Sequence, residues 1–212
     1  MINTIIDIFH QNHIDFDRAR ADGIVAIIHK ATEGTHFRDN EYRERKQRAK
    51  DMGFLWGAYH FSSAGNVLDQ VEHFLTVAEP DESDLVALDF EPSSHGPDMT
   101  IQQAHQFVMA IRNELGRFPV IYGGHLLREG VGHNPDPILA NCPLWYARYT
   151  HLPIGIPTQV WPTYTLWQYT DGNSGDEPHR VDGIGRCDRD RYQGSTDELR
   201  AAWPFTRRAP VG

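Results

Sequence analysis

The sequence predicts an α/β barrel, on three observations. Short β-rich runs alternate with helical stretches, the pattern of parallel βα units. Eight such runs occur, the number that closes a barrel. Most of them end in charged or aromatic residues, where the strands of a barrel meet its active site.

Taken in order, strands are expected over residues 4–8 and 24–29, followed by a highly charged helix over 39–52 with Gly53 closing it. The third strand spans 55–61. A helix over 66–77 follows, with Val67, Val71, Phe74 and Leu75 at helical spacing. The run Leu85-Val86-Ala87-Leu88 is wholly apolar and reads as a strand over 85–91, buried on both faces. The helix over 100–115 carries the clearest signals. Thr100 and Gln103 form a capping box, Ile101, Ala104, Phe107, Val108, Ile111 and Leu115 make its apolar face, and Gly116 ends it. Strands over 119–122, 144–149, 165–169 and 186–190 complete the set, and a helix over 195–203 closes the chain. Between these late strands the helices are weak. Residues 124–130 are short, and 154–162 and 171–185 read as loops, so the last third departs from a regular eightfold repeat.

The chain has 212 residues, 40% hydrophobic and 23% charged, as in a single soluble domain with a full core. The expected unit is a single domain over residues 1–212, with its core at about 3–203 and no separate binding module. A net charge of -9 disfavours nucleic acid as a partner. No run reaches transmembrane length, so no membrane insertion is expected. The first residues lack a basic region before Asp7, which points to synthesis in the cytoplasm without a signal peptide. Cys142 and Cys187 exclude a disulfide framework; two reduced, buried thiols are expected, with one bridge left open. His10 with His13, or His29 with His60, are candidate metal ligands. The chain has no HExxH and no compact Cys/His cluster, so neither metal nor cofactor is expected.

Asp89 and Glu91 end the fourth strand. Residues i and i+2 of a strand share a face, roughly 6–7 Å apart along the backbone. Glycoside hydrolysis needs such a pair: one carboxyl protonates the leaving oxygen while the other stays ionised near the sugar carbon. A solvated strand end or a metal-binding pair would look the same. The other strand ends separate these readings. They present Asp7, Lys30, Glu33, Tyr59, His60, Phe61, Tyr122, Arg148, Tyr149, Trp167, Gln168, Tyr169, Asp188 and Asp190 around one mouth. Rings cover the apolar faces of sugars, and carboxylates and amides accept their hydroxyls.

These segments resemble the glycoside hydrolase family 25 lysozymes, the N-acetylmuramidases. Ile6-Asp7-Ile8 with Gln11 looks like the opening motif, Lys30-Ala31-Thr32-Glu33-Gly34 the segment of the second strand, and Gly57-Ala58-Tyr59-His60-Phe61 that of the third. Leu88-Asp89-Phe90-Glu91 resembles the Asp-x-Glu strand. Pro119-Val120-Ile121-Tyr122, Leu144-Trp145-Tyr146-Ala147-Arg148-Tyr149 and Leu166-Trp167-Gln168-Tyr169 fit the next three, and Cys187-Asp188 with Tyr192 and Gly194 the last. Eight matches in order over about 190 residues are specific. Three departures stand out. Phe9 replaces a small hydroxyl residue, Asp190 an asparagine and Tyr192 an apolar aromatic, all expected at the cleft margin.

The resemblance implies a modified TIM-like barrel of five βα units followed by three β-rich segments. It implies cleavage of the β-1,4 bond between N-acetylmuramic acid and N-acetylglucosamine, with peptidoglycan glycan strands as partner. Glu91 is then the general acid, Asp89 orients the substrate's N-acetyl group, and Asp7 and Asp188 line the cleft. Tyr59, Phe61, Tyr122, Trp145, Tyr149 and Gln168 are its sugar contacts. A monomer is expected, acting on the wall after release or export by other machinery, as an endolysin does. A chitinase-like hydrolase or a non-catalytic glycan-binding module are the alternatives. Val86 and Leu88, standing where a chitinase-like motif carries acids, argue against the first, and the intact acids against the second.

Overall fold

The computed structural model describes residues 1–93 and 95–206; Ser94 and the last six residues of the expected 1–212 unit lie outside the described residues. In chain order the first half contains β1 (Ile2–Ile8), α1 (Phe16–Ala21), β2 (Ala26–Glu33), β3 (Phe37–Arg38), α2 (Tyr42–Asp51), β4 (Leu55–Phe61), α3 (Val67–Ala78) and β5 (Leu85–Asp89). The second half contains α4 (Ile101–Leu115), β6 (Val120–Gly123), α5 (His125–Val131), β7 (Leu144–Ala147), β8 (Leu166–Thr170), β9 (Arg180–Val181), β10 (Gly185–Arg186), β11 (Asp188–Tyr192) and α6 (Thr196–Ala202).

Eight strands close a barrel in the order β1-β2-β4-β5-β6-β7-β8-β11, with β11 returning to β1. The first seven run parallel, while β11 is antiparallel to both of its neighbours. The last strand therefore departs from the uniform parallel pattern that the alternation predicts. Between β8 and β11 lies only the β9–β10 hairpin, and β11 starts where β8 ends, with Arg189 opposite Thr170, so it runs antiparallel. The short β3 pairs with the end of β2, beyond the reach of β1. Helix α1 adds to the expected set. Its six residues are too few for a periodic signal, and Asp15 starts it by accepting from the Asp17 and Arg18 amides.

The alternation of side chains divides the core in two. Inside the barrel lie Ile5, Ala26, Ile28, Leu85, Ala87, Val120 and Leu166. Between barrel and helices lie Ile6, Ile27, Trp56, Leu88, Ile121 and Trp167, packed with Phe74, Phe107 and Ile111. Each large side chain buried here stabilises the fold by about 1.5–3 kcal/mol. The capping box of α4 forms as expected, with Gln103 N–H donating to Thr100 Oγ1 at 3.2 Å.

His29 and His60 belong to this outer layer, which corrects their reading as candidate ligands. His60 stacks on Phe107, accepts from Thr32 Oγ1 at 2.8 Å and donates to Gln70 Oε1 at 3.1 Å. His29 stacks on Trp56 and donates to the Lys30 carbonyl at 2.7 Å. Burial lowers both to about 4, so both are neutral packing residues. Cys142 and Cys187 are free and buried. Among the described residues, no helix is long and apolar enough to cross a membrane.

Candidate active site

At the C-terminal ends of the parallel strands opens a cleft of about 220 Å³. Its lining includes all ten residues assigned from the sequence: Asp7, Tyr59, Phe61, Asp89, Glu91, Tyr122, Trp145, Tyr149, Gln168 and Asp188. The reason is parity. Asp7 stands two residues after the interior Ile5, Tyr59 two after Gly57, Asp89 two after Ala87, Tyr122 two after Val120, and Gln168 two after Leu166. Phe9 and Lys30 also line the cleft. Lys30 stands at a strand end with no role assigned to it from the sequence, and its inward parity with Ala26 and Ile28 is the signal that places it here.

Glu91 corrects one local expectation. Strand β5 stops at Asp89, so the pair does not have the simple i, i+2 geometry of a ladder. Phe90 N–H still reaches the Tyr122 carbonyl at 2.9 Å, but Pro92 has no amide to continue the pattern. Glu91 projects from the loop into the same cleft, its Oε1 3.4 Å from Tyr122 Oη.

Gln168 organises the opposite wall. Its Oε1 accepts from Tyr122 Oη at 2.7 Å and from Tyr149 Oη at 2.8 Å, and its Nε2 donates to Asp7 Oδ2 at 2.8 Å. Trp145 packs edge-on against Tyr122, with ring centroids 4.6 Å apart. Across the barrel seam Asp7 and Asp188 are register partners of β1 and β11.

Burial dominates the electrostatics. It pushes the Asp7, Asp89 and Glu91 carboxyls above their ordinary values. Asp188 is pushed up to about 9 by burial and by Asp7 beside it. At Asp89, Glu91 adds to the upward push while Lys30 opposes it. Two adjacent buried carboxyls hold one proton between them over a wide pH range. Lys30 opposes the rise at Asp89, and Tyr122 and His125 oppose it at Glu91. Asp89 Oδ1 is buried and has no hydrogen-bond donor among the described residues.

Two of the departures lie elsewhere than expected. Asp190 and Tyr192 are not on the cleft margin. Asp190 is fully buried beneath the cleft floor, where Trp145 Nε1 donates to its Oδ1 at 2.6 Å. Tyr192 pairs in register with Ile2, at the far end of the barrel, and packs on Phe205. Continued alternation along β11 carries both away from the mouth.

A closed α/β barrel with paired carboxyls and aromatic walls at its strand ends defines a glycoside hydrolase of the barrel class. The chain belongs to Glycosyl hydrolases family 25, whose profile matches residues 6–177. It is 26% identical over 202 residues to an N,O-diacetylmuramidase of Arthroderma benhamiae, covering 90% of this chain and 81% of that protein. Among solved structures it is similar to a muramidase from Acremonium alcalophilum, with a TM-score of 0.78 and 30% identity over 92% of this chain and 96% of that one. It is also similar to a bacterial lysozyme from Streptomyces coelicolor, with a TM-score of 0.79 and 27% identity over 92% and 94% of the two chains.

Proposed function

We propose that this hydrolase is a muramidase, cleaving the β-1,4 bond between N-acetylmuramic acid and N-acetylglucosamine in peptidoglycan. The observation that carries this reading is the Asp89 carboxyl, which lines the cleft beside Glu91 and whose Oδ1 has no donor among the described residues. An acceptor with no protein donor suits the amide N–H of a substrate N-acetyl group.

In the proposed mechanism Glu91 gives its proton to the leaving glycosidic oxygen as the bond to the sugar carbon breaks. Asp89 holds the acetamide so that its oxygen attacks that carbon, a substrate-assisted route known among glycoside hydrolases. Water then opens the cyclic intermediate and returns a proton to Glu91. Asp7 and Asp188 line the cleft where positive charge develops, with Gln168 fixing Asp7. Tyr59, Phe61, Tyr122, Trp145 and Tyr149 offer ring faces and hydroxyls to the sugars.

The proposed working unit is a monomer with its catalytic core at about residues 3–203, acting on the cell wall after release or export. Purified protein incubated with peptidoglycan should yield new reducing ends which, after borohydride reduction, mass spectrometry identifies as muramic acid. Cleavage confined to chitin oligomers would replace this reading with a chitinase-like one. Tight glycan binding without any turnover would replace it with a binding module.

A further inference from the structure

Beneath the cleft, Asp190 is a buried carboxyl that the mechanism does not use. It is completely inaccessible to solvent, and its two oxygens are treated differently. Oδ1 accepts from Trp145 Nε1, whereas Oδ2 is buried with no donor among the described residues. Asp7 lies beside it: the β1–β11 register sets Asp190 opposite Ile5, on the same inward face as Asp7. Asp7 already accepts from Gln168 on Oδ2 and has Asp188 on its other side. Three carboxyls thus form a chain, Asp188–Asp7–Asp190, reaching from the cleft into the barrel.

We propose that Asp190 is a positioning residue: it keeps its proton at working pH and donates it through Oδ2–H to the carboxylate of Asp7, holding Asp7 charged and oriented at the cleft. This rests on the reading of Asp7 as a charge-bearing wall of a glycan-cleaving site.

The donor inventory decides which partner holds the proton. An ionised Asp190 would need Asp7 to carry the proton instead, and would put the charge on the group that solvent does not reach. A neutral Asp190 satisfies both of its oxygens, one as acceptor from Trp145 and the other as donor to Asp7. Asp7 has a second donor in Gln168 and opens onto the cleft, so it is the better site for the charge. The charged groups bearing on Asp190 are Asp7 from β1 and Asp188 and Arg189 from its own strand; Trp145 of β7 and Gln168 of β8 are neutral. The Arg189 guanidinium is bound to the Arg180 and Asn3 carbonyls. Burial and Asp188 push Asp190 up to about 8, against the lowering effect of its contacts with Trp145 and Asp7 and of Arg189. An asparagine here, the residue the family resemblance leads one to expect, would donate to Asp7 through its amide at any pH. The carboxyl does so only while protonated.

Carbon-13 NMR of protein labelled at the aspartate carboxyls tests this without any substrate. The wild type at pH 6 should show a neutral carboxyl resonance that is missing in Asp190→Asn and displaced in Asp7→Asn, titrating near pH 8. Kinetics supply the second arm. Asp190→Asn keeps both hydrogen bonds and should rescue most of the kcat that Asp190→Leu, with similar shape and no donor, loses by at least about tenfold. A resonance for Asp190 that titrates near pH 4 would overturn the proposal, as would equal kcat in the two variants. Where Asp190→Leu fails to fold, the NMR titration alone decides. A wild type inactive on every glycan but showing the neutral Asp190 resonance would sink the muramidase reading and leave the shared proton standing.

Discussion

Gln168→Leu removes the link that joins both walls of the cleft while preserving most of the side-chain volume. Three hydrogen bonds disappear: those from Tyr122 Oη at 2.7 Å and Tyr149 Oη at 2.8 Å, and that to Asp7 Oδ2 at 2.8 Å. Gln168 is only 1% exposed, so water does not simply replace it. Two bonds between neutral groups contribute about 1 kcal/mol each, and the one to a carboxylate about 1.5–3. The leucine regains about 1 kcal/mol through apolar burial. The tyrosine hydroxyls can also turn toward the open cleft and recover part of their loss. The net expectation is a destabilisation of about 2–3 kcal/mol. Urea unfolding followed by tryptophan fluorescence should show a lower midpoint with an unchanged slope. The melting temperature should fall by about 5–10 °C, at 2–4 °C per kcal/mol for a chain of this size. A loss below about 0.5 kcal/mol would refute the reasoning, because it would mean that the network does not hold the walls together.

Three further outcomes follow from the same structure. Asp188 has its folded value raised to about 9, so the folded state holds a proton there that the unfolded chain releases near pH 4. Stability from this site is present below pH 4 and is lost as pH rises toward 9; Asp188→Asn should therefore raise the melting temperature at pH 8 but hardly at pH 4, as differential scanning fluorimetry at both values would show. At Gly175, a β-carbon would stand 2.0 Å from the Tyr169 carbonyl oxygen, on a backbone with φ of +93°. Gly175→Ala should destabilise by more than about 2 kcal/mol in urea titrations. If Asp89 directs the acetamide route, NMR during early turnover should show the β-anomer as the first product; the α-anomer first would refute that route in favour of direct inversion.

Much of the site was legible because barrel strands alternate. Once the runs ending at Asp7, Asp89, Tyr122 and Gln168 are placed in one sheet, parity alone sends these side chains to a common mouth. Long-range pairings were harder to see. Nothing local in Asp188–Tyr192 announces that this strand runs antiparallel, since its direction follows from where the chain re-enters the barrel, with Arg189 opposite Thr170. The β9–β10 hairpin has two residues per strand, too short for any alternation to show. The depth of Asp190 escaped notice for a related reason. The Cys187–Tyr192 segment has few apolar residues, so its burial comes from neighbours β1 and β8 rather than from its own composition. Lys30 was visible in sequence, but its pull on Asp89 depends on the approach of two different strands.

The account turns on Glu91 being the proton donor in muramidase cleavage. The direct measurement is the rate of release of muramic acid reducing ends from peptidoglycan by the wild type and by Glu91→Gln, at equal folded concentration confirmed by circular dichroism. The glutamine matches the shape of the protonated acid but cannot transfer a proton. Its kcat should be lower by at least about two orders of magnitude, the usual contribution of a general acid, with binding of wall glycan retained. A Glu91→Gln protein that releases muramic acid ends at a rate close to the wild type would contradict the assignment.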